Sequence, residues 1–255
     1  MKKTTLILLF IFLVSVSNNF AKAADTLKAK PTIIFVHGLW ADGSCWQKVI
    51  DPLIEKGYDV ISVQNPTTSL ADDVAATRRA IFKTKGDIIL VGHSWGGFVI
   101  TEAGADPRVK ALVYISAFAP DKGETVTTVS AKAPATELSK FISNLEGYVT
   151  LSKDGVSKTF AQDLTLKEQK VVFSVQQPAY FTLFADTCAS IAWKNKPSWY
   201  VVSADDKCIN PELEKLMAKR ANAETTILNS SHVAMLSHPK EILDVILSAI
   251  KSVSN

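Results

Sequence analysis

Short apolar segments alternate with stretches of helical periodicity along this chain, and this alternation limits the folds that it can adopt. Most of the segments are near-continuous runs of β-branched and apolar residues, which is typical of strands buried on both faces. Between two of them an apolar stripe with helical spacing runs from Trp46 to Ile54, and Gly57 ends it. The pattern predicts an α/β fold, a mostly parallel and doubly wound sheet with helices on both faces. The six predicted strands are 31–37, 58–63, 87–92, 109–116, 198–203 and 225–229.

A long interval interrupts this alternation between Ser116 and Pro197. Connections in α/β proteins usually take roughly 2–6 residues. This interval has no convincing buried strand, but it has two helical stretches rich in Phe and Tyr. An insertion at the strand ends of an α/β sheet lies where a lid would cover a ligand crevice. We therefore predict a helical cap after the fourth strand, at approximately residues 120–192, rather than a subdomain without a role in the site.

The N-terminus has the three parts of a secretory signal peptide. They are a basic start, an apolar run over residues 6–14 and a small-x-small cleavage site that ends at Ala23. The run is about half of the roughly 20 apolar residues that cross a membrane. We predict that residues 1–23 are removed and that residues 24–255 form one exported domain, periplasmic or extracellular, without a stable membrane anchor.

Charge excludes one broad class of partner. The chain has 28 Lys and Arg residues against 25 Asp and Glu residues, and three of its lysines lie in the predicted signal peptide. The remaining chain is therefore formally neutral. A neutral surface argues against nucleic acid or an anionic membrane as the main partner, so we expect a small-molecule substrate. The oligomeric state stays open.

Cysteine usage indicates no metal centre. Cys45, Cys188 and Cys208 are an odd number without CxxC spacing, so neither a disulfide framework nor a zinc site is indicated. One bridge in an oxidising compartment is compatible with the sequence, but spacing does not choose the pair. We expect the chemistry to need no metal and no cofactor.

The stretch "LVGHSWGGFV" carries a possible nucleophile, Ser94, in a G-x-S-x-G pattern. A predicted strand precedes the pattern and a predicted helix follows it, which is the setting of a nucleophile elbow. In such a turn the central residue is strained and its hydroxyl is held out, while the glycines let the helix pass close to the strand. The alternative is a tight turn whose small residues serve packing alone.

A serine needs a base, and the base needs an orienting acid. On this fold both come late, in the order Ser, Asp or Glu, His. His232 follows the last predicted strand, whereas His238 precedes Pro239 and suits the start of the final helix. Asp205 and Asp206 both follow the fifth predicted strand, and spacing does not separate them.

Acyl transfer also needs backbone N–H groups that bind the developing oxyanion. One is expected from Trp95, directly after the candidate nucleophile. The other is expected from the loop after the first predicted strand, where Gly38 permits a close turn and His37 would brace the loop.

Aromatic residues indicate an apolar pocket, and therefore an uncharged substrate. The predicted pocket residues are Trp40, Trp95, Phe118, Tyr180, Phe181 and Phe184.

Three stretches, "FVHGLWADGSCWQKVI", "GHSWGG" and "SHVAMLSHP", together resemble the α/β-hydrolase superfamily over the whole chain after the predicted signal peptide. They are most similar to the branch that holds plant methyl-ester esterases, hydroxynitrile lyases and small exported bacterial hydrolases. The resemblance implies a triad of Ser94, His232 and Asp206, and a second oxyanion amide at Leu39.

The same resemblance favours a serine esterase acting on small or medium uncharged esters through an acyl-enzyme. Hydroxynitrile lyases of that branch carry Thr where this chain has Gly38 and Lys where it has Val233. Haloperoxidase-type enzymes share the triad, and a ligand-binding or receptor protein would keep the pocket without turnover. A ligand-binding role of the pocket, and lyase or haloperoxidase-type activity on the same triad, stay open as alternatives.

Overall fold

A computed structural model describes residues 29–254. The predicted signal peptide lies outside the described residues and stays a prediction. All six predicted strands form one fully parallel sheet in the order β2-β1-β3-β4-β8-β9, which confirms the α/β fold class. Three further strands, β5 to β7, belong to the insertion. The strands of the central sheet are β1 Thr32–Val36, β2 Val60–Val63, β3 Ile88–His93, β4 Val109–Ile115, β8 Ser198–Ser203 and β9 Glu224–Leu228.

The strand order reverses at β1, because the chain runs outward from β1 to β2 and then returns to the other side of β1 with β3. Val36 of β1 pairs with Gly92 of β3. The loop after β1 therefore lies beside the turn after β3. In open α/β sheets, ligands bind in the crevice outside the carboxyl ends of the strands at such a reversal.

Helices cover both faces of the sheet, and each buries its apolar side. In α1 the residues Val49 and Leu53 are fully buried, whereas Ile54 is 59% exposed, so the buried stripe is narrower than the sequence pattern. Gly57 ends this segment with a positive φ of 74°, which glycine adopts freely. The helices outside the insertion are α1 Gln47–Glu55, α2 Leu70–Lys83, α3 Gly96–Ala103, α7 Pro211–Arg220, α8 Ala234–Ser237 and α9 Pro239–Ser254.

The insertion between β4 and β8 contains more than the predicted helices. It includes a three-stranded antiparallel sheet in the order β5-β6-β7. Glu146 and Gly147 both have positive φ and form a two-residue hairpin turn. Three of the four β5 residues are exposed, so the strand lacks the apolar run that marks a buried one. The elements are α4 Val126–Ser130, β5 Ile142–Leu145, β6 Tyr148–Leu151, α5 Lys153–Gly155 with a π-helical turn Val156–Phe160, α6 Leu166–Val175 and β7 Ala179–Tyr180.

Over residues 29–254, no helix has the length and hydropathy to cross a membrane. Cys45, Cys188 and Cys208 are all free thiols.

Candidate active site

Ser94 occupies a strained turn between β3 and α3. Its φ is 52°, in the left-handed region that non-glycine residues rarely adopt. The backbone around it is held firmly, because the Ser94 carbonyl accepts hydrogen bonds from Gly97 N at 3.0 Å and from Phe118 N at 3.1 Å. The turn thus has the strained geometry that the nucleophile elbow requires.

The two glycines after Ser94 allow the backbone of α3 to pack closely against neighbouring backbone. A Cβ atom on Gly96 would overlap the carbonyl oxygen of Val36, and one on Gly97 would overlap the carbonyl oxygen of Phe118. Since both obstacles are backbone atoms, neither can move aside cheaply. The glycines therefore let α3 start directly against the loops after β1 and β4.

His232 and Asp206 form a buried hydrogen-bonded pair. His232 Nδ1 donates to Asp206 Oδ2 over 2.6 Å, and the two side chains are 1% and 0% exposed. The other oxygen, Asp206 Oδ1, accepts from Cys208 N at 2.6 Å and from Ile209 N at 3.0 Å. This arrangement places the proton on Nδ1 and leaves Nε2 of His232 as an acceptor.

The structure distinguishes the two aspartates that spacing left open. Asp205 is exposed, and its hydrogen bonds are made by its backbone, to Ser230 O and from Gln162 Nε2. Asp206 is the one whose side chain meets His232. Asp205 therefore faces solvent, whereas Asp206, the next residue in the chain, faces the protein interior.

His93 has a role that the sequence analysis did not identify. Its Nε2 donates to the His232 carbonyl oxygen over 2.9 Å, and the two imidazole rings are 4.6 Å apart. Burial, with the nearby His232, lowers the pKa of His93 well below its usual value, so the ring is neutral. His93 therefore holds the backbone of His232 next to the turn that carries Ser94. Its position at the end of β3 is the one sequence signal that could have indicated this.

The loop after β1 packs directly on the turn. A Cβ atom on Gly38 would lie 2.6 Å from Ser94 Cβ. His37 braces this loop: its Nε2 accepts from Asn65 N at 3.0 Å, and its Nδ1 donates to Gly38 O at 2.8 Å. Burial lowers the pKa of His37, which agrees with a neutral ring in that tautomer.

The Leu39 amide follows directly in this loop, and the Trp95 amide lies at the N-terminal end of α3. Within the described part of the chain, neither N–H donates to a protein acceptor. That these two amides bind an oxyanion stays a prediction.

Asp206, Cys208 and His232 place possible metal-binding atoms within 4.8 Å of one another. A metal would need the Cys208 thiolate, but this thiol donates to Thr159 O at 3.2 Å. Burial and the nearby carboxyl groups raise the pKa of Cys208 well above its usual value. His232 Nδ1 and Asp206 Oδ2 also bind each other. The donor set therefore fits a hydrogen-bonded acid–base pair better than a metal.

An apolar cavity of about 80 Å³ lies near His232, although neither His232 nor Ser94 is among its lining residues. The rings of Phe160 and His232 are 5.2 Å apart, and Val233 follows His232 in the chain. Trp40 is the residue of this lining that the sequence analysis named, whereas Phe160 and Val233 were missed. The cavity is lined by Trp40, Ala41, Asp42, Ser44, Cys45, Phe160, Val171, Val172, Val175, Val233 and Leu236.

The other predicted pocket aromatics lie outside this lining. The Phe118 ring packs against Phe98 with centroids 5.7 Å apart, although its backbone contacts the Ser94 turn. Tyr180 and Phe181 contact each other in the insertion, and Phe181 is 49% exposed. Phe184 is partly buried against the hydrophobic core. That these four residues contact a substrate stays a prediction.

The Trp95 ring is turned into the protein, not towards the cavity lining. It is 1% exposed and stacks on Phe98 with centroids 5.0 Å apart. Its Nε1 donates to Asp73 Oδ2 at 2.8 Å, and Thr67 N donates to Asp73 Oδ1 at 2.8 Å. Asp73 thereby anchors the residue that follows Ser94. Burial raises the pKa of Asp73 to about 6.

Replacement of Asp73 by Asn tests this anchor through the pH dependence of stability. The folded protein keeps the proton of Asp73 up to about pH 6, whereas the unfolded chain releases it near pH 3.8. The stability contributed by the protonated group is therefore present below pH 3.8 and is lost as the pH rises towards 6, a difference of roughly 3 kcal/mol. We expect the Tm advantage of the wild type over Asp73→Asn to shrink between pH 4 and 6 and to stay constant above pH ~7. A gap that is equally wide at all these pH values, in thermal unfolding followed by circular dichroism, would contradict the assignment.

Comparison with known proteins agrees with this fold. The sequence pattern that defines the alpha/beta hydrolase family matches residues 33–245 of this chain. An alpha/beta hydrolase of Aspergillus novofumigatus is 27% identical over 243 residues, covering 86% of this chain and 96% of that protein. Methylesterase 18 of Arabidopsis thaliana is 25% identical over 256 residues, covering 87% and 97%. The crystal structure of a pyrethroid hydrolase from Sphingobium faniae matches with a TM-score of 0.76 and 19% identity, covering 87% of this chain and 97% of that one. The resemblance stated from the sequence is thus confirmed, and this chain belongs to the alpha/beta hydrolase family.

Proposed function

We propose that this protein is a carboxylic-ester hydrolase that uses Ser94, His232 and Asp206 through an acyl-enzyme. The observation that carries the proposal is the 2.6 Å hydrogen bond from His232 Nδ1 to Asp206 Oδ2. It leaves His232 Nε2 as a base, next to a strained turn that carries a serine. Relatives that are named methylesterase and pyrethroid hydrolase support an ester as the substrate.

The proposed catalytic cycle gives each of these residues a role. Ser94 Oγ attacks the ester carbonyl carbon while His232 Nε2 takes its proton, and Asp206 stabilises the imidazolium that forms. The oxyanion is bound by the amides of Leu39 and Trp95, where the N-terminus of α3 also favours negative charge. His232 then gives its proton to the departing alcohol, and water repeats the sequence on the acyl-enzyme to release the acid.

The surroundings of the site favour an uncharged ester. The cavity beside His232 is walled mainly by apolar side chains, Phe160 and Val233 among them, and a buried charge without a partner is costly. Gly38 supports hydrolysis over lyase chemistry, because a side chain there would meet Ser94 Cβ. The Thr that hydroxynitrile lyases carry at this position would require the Ser94 turn to shift.

Turnover and labelling together test the proposal. We expect hydrolysis of p-nitrophenyl butyrate, with kcat/KM at least roughly tenfold lower for the charged p-nitrophenyl hemisuccinate of similar length. We also expect a serine-reactive phosphonate to abolish turnover and to be found on Ser94 by peptide mass spectrometry. Thermal stabilisation by esters without any turnover would instead identify a ligand-binding protein, and labelling at another serine would refute the assignment of Ser94.

A further inference from the structure

A second carboxyl group lies buried beneath the proposed triad. Glu214 in α7 is 0% exposed. Its Oε2 accepts from Ser203 N, at the end of β8, over 3.0 Å. The carbonyl of the same Ser203 accepts from Asp206 N over 3.2 Å. One residue at the carboxyl end of β8 thus contacts both acids.

The other oxygen of Glu214 receives no hydrogen bond within the described residues. The polar group that acts on Glu214 at hydrogen-bonding range is the Asp206 carboxyl group, so a hydrogen bond between the two acids would form here. Two carboxylates are both acceptors, so this hydrogen bond requires a proton on one of them. Both oxygens of Asp206 already accept hydrogen bonds, from two backbone N–H groups and from His232 Nδ1. The proton therefore belongs to Glu214.

We propose that Glu214 is a positioning residue that, as a neutral carboxylic acid, donates a hydrogen bond from Oε1 to the Asp206 carboxylate and so fixes the acid that orients His232. The proposal rests on the proposed function in that Asp206 is taken as the triad acid. The proposed hydrogen bond would satisfy Oε1 of Glu214. A buried oxygen without a hydrogen bond would otherwise lower the stability of the fold.

Electrostatics around Glu214 support the neutral form. The titratable groups that act on it within the described chain are Asp206, Tyr200 and Cys208, and none of them is a cation. Burial, and then the charge of Asp206, raise the pKa of Glu214 well above its ordinary value of 4.5. Ionisation of Glu214 above its raised pKa would place a second negative charge against Asp206 and break the proposed hydrogen bond.

This placement has a consequence for stability. The folded protein holds the proton of Glu214 at pH values where the unfolded chain has released it. The stability that the protonated group contributes is present below pH 4.5 and is lost as the pH rises towards the raised pKa.

The isosteric variant Glu214→Gln separates the proposal from a packing role. Its amide oxygen can accept from Ser203 N and its NH2 group can donate to Asp206, without a proton to lose. We expect kcat/KM near pH 6.5 to stay within about twofold of the wild type and the alkaline fall in kcat/KM to move to higher pH. We also expect the Tm of Glu214→Gln to exceed that of the wild type by a margin that widens from pH ~5 to pH ~9.

Two further variants complete the experiment. Glu214→Leu cannot donate to Asp206, and we expect it to lose roughly tenfold or more in kcat with little change in KM. Glu212→Gln is the matched control, because Glu212 lies on the same helix but is exposed and pairs with Lys215 at 2.8 Å. It should change neither the pH profile nor the pH dependence of Tm.

The proposal is overturned if folded Glu214→Gln is inactive, or if its pH profile and Tm gap are the same as those of Glu212→Gln. The Tm measurement needs no substrate. Failure of the proposed function, such as absence of ester turnover, is therefore distinguishable from failure of the inference about Glu214.

Discussion

Replacement of Ser94 by Ala is expected to lower kcat for ester hydrolysis by roughly five to six orders of magnitude. The variant keeps the oxyanion amides and the cavity but has no oxygen to attack the carbonyl. Its backbone stays as strained as in the wild type, because Ala at a φ of 52° has no advantage over Ser. Initial rates with p-nitrophenyl butyrate, and Tm as a check on folding, measure the effect.

Ser116→Ala is the matched control for this variant. Ser116 is also a buried serine with a positive φ, 44°, and it follows the neighbouring strand β4. Its hydroxyl hydrogen-bonds Ser203 Oγ over 2.6 Å and does not take part in the proposed chemistry. We expect some loss of stability but less than about tenfold loss of kcat. Activity that persists in Ser94→Ala would refute the proposed mechanism.

Replacement of Asp206 by Asn is expected to lower kcat by about 10⁴-fold without unfolding the protein. Asp206 Oδ1 accepts two backbone N–H groups, so the carbonyl oxygen of Asn takes that place and its NH2 group faces His232 Nδ1. An amide that donates to Nδ1 moves the imidazole proton to Nε2. The base is then lost, because Nε2 no longer accepts the proton of Ser94.

Asp205→Asn is the control for this prediction, since it makes the same chemical change one residue away at an exposed position. We expect its kcat to stay within about twofold of the wild type. Steady-state kinetics of the two variants decide between the aspartates. A large loss in Asp205→Asn with little in Asp206→Asn would reverse the assignment.

Much of the scaffold could be predicted because the signals are local. Apolar runs such as 87–92 report a strand buried on both faces, and the structure has β3 at Ile88–His93. The strand, turn and helix around Ser94 are equally local, since they occupy adjacent residues. The three-stranded sheet of the insertion was missed for the opposite reason, because exposed residues dominate its first strand and leave no apolar pattern.

The site beyond Ser94 depended on contacts between distant residues. Chain order indicated His232, but it did not indicate that His93 holds its carbonyl or that Phe160 packs against its ring. Aromatic content alone predicted pocket residues, and of these Trp40 lines the cavity beside His232. The type of a residue indicates that it is hydrophobic. Whether it lines a cavity depends on how the loops and α6 pack together.

The amino-acid pattern alone predicted the α/β sheet and a serine at the turn after β3, because periodicity and glycine spacing act within a few neighbouring residues. The folded chain was needed to see that Asp206 meets His232 while Asp205 faces solvent, and that Glu214 is buried beside Asp206. Those pairings depend on how the loop after β8 folds and how α7 packs beneath it. Residues far apart in the chain contribute to the fold of this loop and to the packing of α7, so no local sequence pattern predicts these contacts.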